Sequence, residues 1–152
     1  MKKIVYIDMD GVLVDIVGYI KNTFSQNKIE DLGIGTIVDE YPFIFNNAKP
    51  LDGAIKAFNK LANSPKYDVY ILSTAPWANE QAWTIKRQWV EEHLGKNAFK
   101  RLILSHHKNL LKGDYLIDDR IKNGVDQFEG EHIHFGTDKF TDWDSVLKYL
   151  KP

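Results

Sequence analysis

Apolar residues along the chain fall into two patterns. Some form short unbroken runs, and others recur every three or four positions. The runs are "KIVYID" (3–8), "YDVYILS" (67–73), "RLILS" (101–105), "YLID" (115–118) and "HIHF" (132–135). Runs this short and this apolar predict buried strands. Between them, "LDGAIKAFNKLAN" repeats Ile55, Phe58, Leu61 and Ala62 at helical spacing. "NEQAWTIKRQWVEEHLG" does the same with Trp83, Lys86, Trp89, Val90 and Leu94, and Gly95 is a natural stop. "TDWDSVLKYL" offers Thr141 or Asp142 as a cap before Val146, Leu147 and Leu150. Strands alternating with helices predict an α/β fold, a parallel sheet flanked by helices on both faces. Such sheets bind ligands beyond the C-terminal ends of their strands. The polar residues expected there are Asp8, Asp10, Ser73, Thr74, residues 105–108, Asp118 and Asp119.

Residues 16–50 break the alternation. "IVGYIKNTFSQN" reads as a helix, but "GIGTIVDEYPFIFNNAKP" is rich in Gly, Pro and aromatics and has no clear period. The segment is expected to be a small cap inserted after the first strand. Residues 1–15 and 51–152 would then form the core.

Length and charge narrow the classes. A chain of 152 residues is expected to form one domain with a sizeable core. A formal net charge of −1 supplies no basic field for a nucleic-acid polymer. The absence of cysteine removes thiol catalysis and disulfides, and it fits a reducing compartment. The N-terminal apolar run before Asp8 is too short for a signal-peptide core, and no run approaches a membrane span. A cytoplasmic location is expected.

The candidate chemistry is acidic. Asp8 closes a strand and Asp10 follows two residues later, so both are expected to face one region. Two such carboxylates repel unless one is protonated or a cation lies between them. "YLIDDR" ends a second strand in Asp118 and Asp119, on the same expected edge. Each Asp alone could be a helix cap. Two strands ending in acidic pairs are better explained by a Mg²⁺ site, because hard divalent cations take oxygen ligands. A metal beside carboxylates suits phosphoryl chemistry, which also needs hydroxyl or amide donors and a lysine. Ser73 and the N–H of Thr74 could hold phosphate oxygens, and Lys108 could neutralise their charge. Lys86 is the alternative cation; it sits mid-helix between tryptophans and could snorkel from a packed face instead. The five histidines show no metal-ligand spacing with nearby acids and read as surface or strand residues.

"DMDGVLVD", "ILST", Lys108 and "LIDD" resemble the four motifs of the haloacid dehalogenase (HAD) superfamily in residue type, order and strand-end context. "KPLDGA", "KRQWVEEHLG", "RLILS" and "GDYLIDDR" extend the resemblance to the 5'(3')-deoxyribonucleotidases over most of residues 1–125. The resemblance implies a Rossmann-like HAD fold and a Mg²⁺-dependent phosphomonoesterase. It implies Asp8 as nucleophile and Asp10 as general acid/base. Mg²⁺ would be held by Asp8, the Asp10 carbonyl and Asp119, with Asp118 in support, and phosphate by Ser73, Thr74 and Lys108. The implied partner is a small phosphomonoester, a deoxyribonucleoside monophosphate, and the assembly a homodimer; neither a nucleic-acid polymer nor a membrane is expected. Members that prefer uracil and thymine carry an aromatic residue after the motif's last Asp, where this chain has Ile16. Ile16, Tyr41, Phe43, Phe45, Trp77 and Arg120 are the candidate substrate-pocket residues. Two alternatives stand beside this reading: a phosphatase for sugar phosphates or other small phosphomonoesters, and a non-catalytic nucleotide- or phosphate-binding protein.

Overall fold

A computed structural model describes residues 1–152, the side chain of Pro42 excepted. Five strands form one sheet: β1 Lys3–Ile7, β2 Tyr67–Ser73, β3 Leu102–Leu104, β4 Tyr115–Asp118 and β5 Glu131–His134. Their order is β3-β2-β1-β4-β5, and every pairing is parallel. The chain builds outward from β1 to β3, then returns to place β4 on the other side of β1. The direction of winding therefore reverses between β1 and β4, the position where open α/β sheets bind ligands. Ile7 is in register with Ile71 on one side and Ile117 on the other. The residue just after β1 and the last residue of β4, Asp8 and Asp118, thus emerge side by side.

The sequence predicts helices on both faces, but the α-helices pack on one face only. The other face, with Tyr6, Leu72 and Leu116, is covered by Val125 and Phe128 from a short 3-10 turn and its end. Burial on both sides keeps the central strands largely apolar. Val5, Ile7, Ile71 and Ile117 are buried against α3 (Ala54–Ala62), α4 (Glu80–Leu94) and α5 (Trp143–Leu150). The α4 stripe differs from the expected one. Ala82, Ile85, Lys86, Trp89 and Val90 face inward, while Trp83 is about one-third exposed at the stripe's edge. Lys86 does not snorkel; it is completely buried.

The segment after β1 contains two helices, α1 (Ile16–Thr23) and α2 (Gln26–Glu40). Asp15 caps α1 by accepting a hydrogen bond from the Gly18 N–H at 2.9 Å. Ser25 separates the two helices and caps the second. The sequence reading found no period here because α2 is kinked at Gly33, whose φ is +75°. The apolar stripe changes direction at that residue, so a single helical period does not span it. The segment leaves and re-enters the core at adjacent points. The Asp15 N–H donates to the Lys49 carbonyl and the Leu51 N–H to the Leu13 carbonyl. The Trp89 indole N–H donates to the Ala48 carbonyl at 2.8 Å, tying α4 to the end of this segment. No helix of the described residues is long and apolar enough to cross a membrane.

Candidate active site

The loop after β1 folds back tightly. The N–H groups of Val12, Leu13 and Val14 all converge on the Met9 carbonyl, and the Gly11 N–H donates to the Val14 carbonyl. Gly11 has a φ of +79°. A Cβ there would overlap the Asp119 carboxylate. Glycine is required twice over, for the left-handed turn and for the close approach of the β4 loop. The turn keeps Asp10 next to the strand end that carries Asp8.

Asp8, Asp118 and Asp119 each offer a carboxylate oxygen within 4.8 Å of the others. Asp8 and Asp118, with Asp10, Thr74 and Lys108, border a small pocket of about 50 Å³ at the switch between β1 and β4, and Asp119 belongs to the acidic cluster beside it. A roomier, largely apolar groove lies elsewhere, beside the edge strand β3, and contains none of these groups. The chemistry, not the volume, locates the site.

Two buried lysines divide the carboxylates between them. Lys108 Nζ is 3.0 Å from Asp8 Oδ1 and 2.5 Å from Asp118 Oδ2. Burial works against the Lys108 charge, but Asp8 and Asp118 outweigh it and hold the ammonium above the usual lysine range. Lys86 Nζ donates to Asp10 Oδ2 at 2.6 Å and to Ser73 Oγ at 3.1 Å. It also lies 4.5 Å above the Phe45 ring centroid. Both sequence candidates for the cation are therefore at the site, bound to different aspartates. Lys86 was hard to assign because a lysine on a buried helical stripe gives no sign of its partner.

The remaining acids differ in how well they are satisfied. Asp118 accepts from Lys108 at Oδ2 and from the Arg120 N–H at Oδ1. Burial, then the Asp8 charge, raise its pKa to about 6 despite those donors. Asp119 is also pushed up, first by burial and then by Asp8. Its Oδ2 has only Arg120 Nε at 3.8 Å. Asp119 Oδ1 and Asp10 Oδ1 are buried with no hydrogen-bond partner among the described residues. Buried carboxylate oxygens without donors are costly and call for an unmet ligand. An all-oxygen set around such atoms fits a hard divalent cation. Asp8 and Asp119 have oxygens to offer it, whereas both oxygens of Asp118 are already engaged.

The expected phosphate groups are split. Ser73 is buried with its hydroxyl against Lys86. Thr74 lines the pocket but turns its hydroxyl to the Ser105 carbonyl at 2.7 Å, which leaves its backbone for a ligand. Of the candidate substrate-pocket residues, only Arg120 borders the pocket. Ile16 is buried in the core, beneath the start of α1. Phe45 is buried under Lys86, and Tyr41 packs edge-on against Phe24 at 4.9 Å. Phe43 and Trp77 are largely exposed. Tyr41 and Phe45 thus act in packing, the ordinary use of aromatic residues under a loop.

The sequence reading missed Lys122 and Asn123, which complete the pocket's rim. It also missed His132 and His134. Their rings stack at 4.9 Å beside β4, with Nε2 of His132 at 3.0 Å from the Asp118 carbonyl and Nε2 of His134 at 3.1 Å from the Asp119 carbonyl. Burial lowers the His132 pKa, disfavouring the charged form of that ring. The only signal in sequence was their alternate spacing on a strand.

Several known proteins are similar to this chain. A candidate 5'(3')-deoxyribonucleotidase of Vibrio phage KVP40 is 57% identical over 149 residues, covering 98% of this chain and 85% of that protein. The 5'(3')-deoxyribonucleotidase of Bacillus subtilis is 30% identical over 89% of this chain and 86% of its own length. A crystal structure of a candidate HAD hydrolase of Bacillus subtilis superposes with a TM-score of 0.66 at 9% identity, covering 99% of each chain, a likeness of fold. The profile of the family described as 5' nucleotidase, deoxy (pyrimidine), cytosolic type C protein matches residues 36–146. Sequence and fold agree, and the chain belongs to this 5'-nucleotidase family, built on the HAD hydrolase fold.

Proposed function

We propose that the protein is a Mg²⁺-dependent 5'(3')-deoxyribonucleotidase that hydrolyses nucleoside monophosphates through an aspartyl-phosphate. The observation that carries this reading is the cluster of Asp8, Asp118 and Asp119 with Lys108, at the winding reversal of a chain from the nucleotidase family. Asp8 Oδ attacks phosphorus; the new O–P bond forms as the ester P–O bond breaks. Asp10 gives its proton to the departing sugar oxygen. It then takes a proton from the water that attacks the phosphoaspartate, and this releases phosphate and restores Asp8. Lys86 holds Asp10 by one oxygen throughout, so the acid/base group keeps a single orientation. Lys108 offsets charge on Asp8 and on the incoming phosphate. A divalent cation would be held by Asp8, the Asp10 carbonyl and Asp119, and would supply further neutralisation of phosphate charge. The Thr74 backbone and Arg120 are the remaining contacts at the pocket rim.

The pocket's free volume of about 50 Å³ suits a phosphoryl group, not a whole nucleotide. The nucleoside must therefore extend outward past Arg120, Lys122 and Asn123. Phosphate release from a panel of deoxyribonucleotides, ribonucleotides and sugar phosphates, with and without Mg²⁺, tests the assignment. Release from deoxyribonucleotides is expected. Turnover of sugar phosphates alone would replace the substrate class, and turnover by Asp8→Asn at the wild-type rate would remove the covalent route.

A further inference from the structure

We infer that His132 and His134 are positioning residues for the cation: their imidazoles fix the peptide carbonyls from which Asp118 and Asp119 project. The inference rests on the reading of the acidic cluster as a Mg²⁺ site. β4 and β5 run parallel with Asp118 opposite His134, so residues 132 and 134 share one face of β5. Each ring reaches past the end of β4. His132 Nε2 meets the Asp118 carbonyl, which also receives the Phe135 N–H at 3.0 Å. His134 Nε2 meets the Asp119 carbonyl, one residue beyond the strand. A carbonyl oxygen only accepts, so each Nε2 must carry its proton. Both rings are thereby assigned the same tautomer, stacked at an interplanar angle of 25°.

The two carboxylates do not depend on this support equally. Asp118 is held at its side chain by Lys108 and the Arg120 N–H. Asp119 has no such anchor. Its Oδ1 is unpartnered among the described residues, and Oδ2 has only the distant, half-exposed Arg120. The aim of the Asp119 carboxylate is therefore set by its backbone. The carbonyl of that residue is held by His134. A peptide that rocks about this point would swing the carboxylate away from Asp8 and from the cradle left open by Gly11. Asp119 is one of the few groups with an oxygen free for a cation, so His134 is the more important of the pair.

Titration of Mg²⁺ into the substrate-free protein by calorimetry, with thermal unfolding measured alongside, tests this. His134→Gln keeps an amide N–H near the position of Nε2; His134→Asn falls short of it; His134→Leu removes it. Loss of an outer partner of a metal ligand typically weakens binding by about 10- to 100-fold, and a loss of at least about tenfold is expected for the Asn and Leu variants, with the Gln variant within about threefold of wild type. Wild-type affinity in the Asn and Leu variants would overturn the inference. So would an equal loss in the Gln variant, which would mean that ring packing matters and not the donor. If the Leu variant does not fold, the Gln and Asn pair decides alone. Absence of Mg²⁺ binding by the wild type would sink the cation reading itself, and the inference with it.

Discussion

Asp8, Asp10 and Asp118 line one small pocket, Asp119 stands in the acidic cluster beside it, and each of the four has a different neighbour. Asp8 faces Lys108, Asp10 faces Lys86, Asp118 is doubly satisfied and Asp119 is nearly bare. Those neighbours separate their roles more sharply than spacing could. The Lys86–Asp10 pair is the clearest case, because the lysine is completely buried and has no route to water. Lys86→Met keeps the length and apolar stem but leaves both Asp10 oxygens unheld. General acid/base catalysis is worth about 10²- to 10⁴-fold, so a misaligned Asp10 should lower kcat by about 10²-fold. Steady-state kinetics on a deoxyribonucleotide measures this, and a change confined to KM would mean that Lys86 acts only in binding.

At the scale of elements, the strands bring the site together and the surface pairs contribute little. Asp68 on β2 and Arg101 just before β3 form an ion pair, both about one-third exposed. The hydrogen bond from Arg101 lowers the Asp68 pKa below the usual aspartate value, opposed by partial burial. A carboxyl with a depressed folded pKa stabilises the fold above its unfolded pKa and loses that contribution as pH falls through the folded value. Arg101→Met should therefore cost up to about 1 kcal/mol at pH 7 and nothing once Asp68 is protonated, well below pH 3.8. Urea unfolding of the two proteins at both pH values checks this. A deficit that persisted in acid would belong instead to the pH-independent contacts of Arg101, its hydrogen bond to the Val69 carbonyl and its packing over the Tyr70 ring.

For the molecule as a whole, the acidic pocket is a source of instability that a cation should relieve. Asp118 has a pKa of about 6 in the fold against 3.8 outside it. An acid shifted upward makes the native state bind more protons, so this group's contribution to stability falls as pH rises through that interval. Asp119 shifts the same way. On the proposed reading, Mg²⁺ would bind the ionised Asp119 beside ionised Asp118 and compete with their protons, so its stabilisation should be larger at pH 7 than at pH 5. At 100 times its dissociation constant, a ligand adds about 2.7 kcal/mol. For a chain of this size, that is a rise in Tm of about 5–10 °C. Differential scanning fluorimetry with Mg²⁺ and with EDTA, at both pH values, measures it; an equal shift at both would disconnect the cation from these carboxylates.

Much was legible in the chain itself. Short apolar runs ending in Asp8, Ser73 and Asp118 sufficed to predict a parallel sheet and the edge that carries the chemistry. That inference works because a central strand is buried on both faces, so its first polar residue marks where it reaches the surface. The segment after β1 was less legible: the kink at Gly33 breaks the period of α2. The partners of the acids were illegible, since they come from residues distant in sequence. Lys86 meets Asp10 across 76 positions, and His134 reaches Asp119 across 15. Local pattern determined which residues stand at the sheet's edge. Only the tertiary fold decided which ammonium holds which carboxylate and which oxygens remain free, because those pairings depend on packing one helix and one outer strand against that edge.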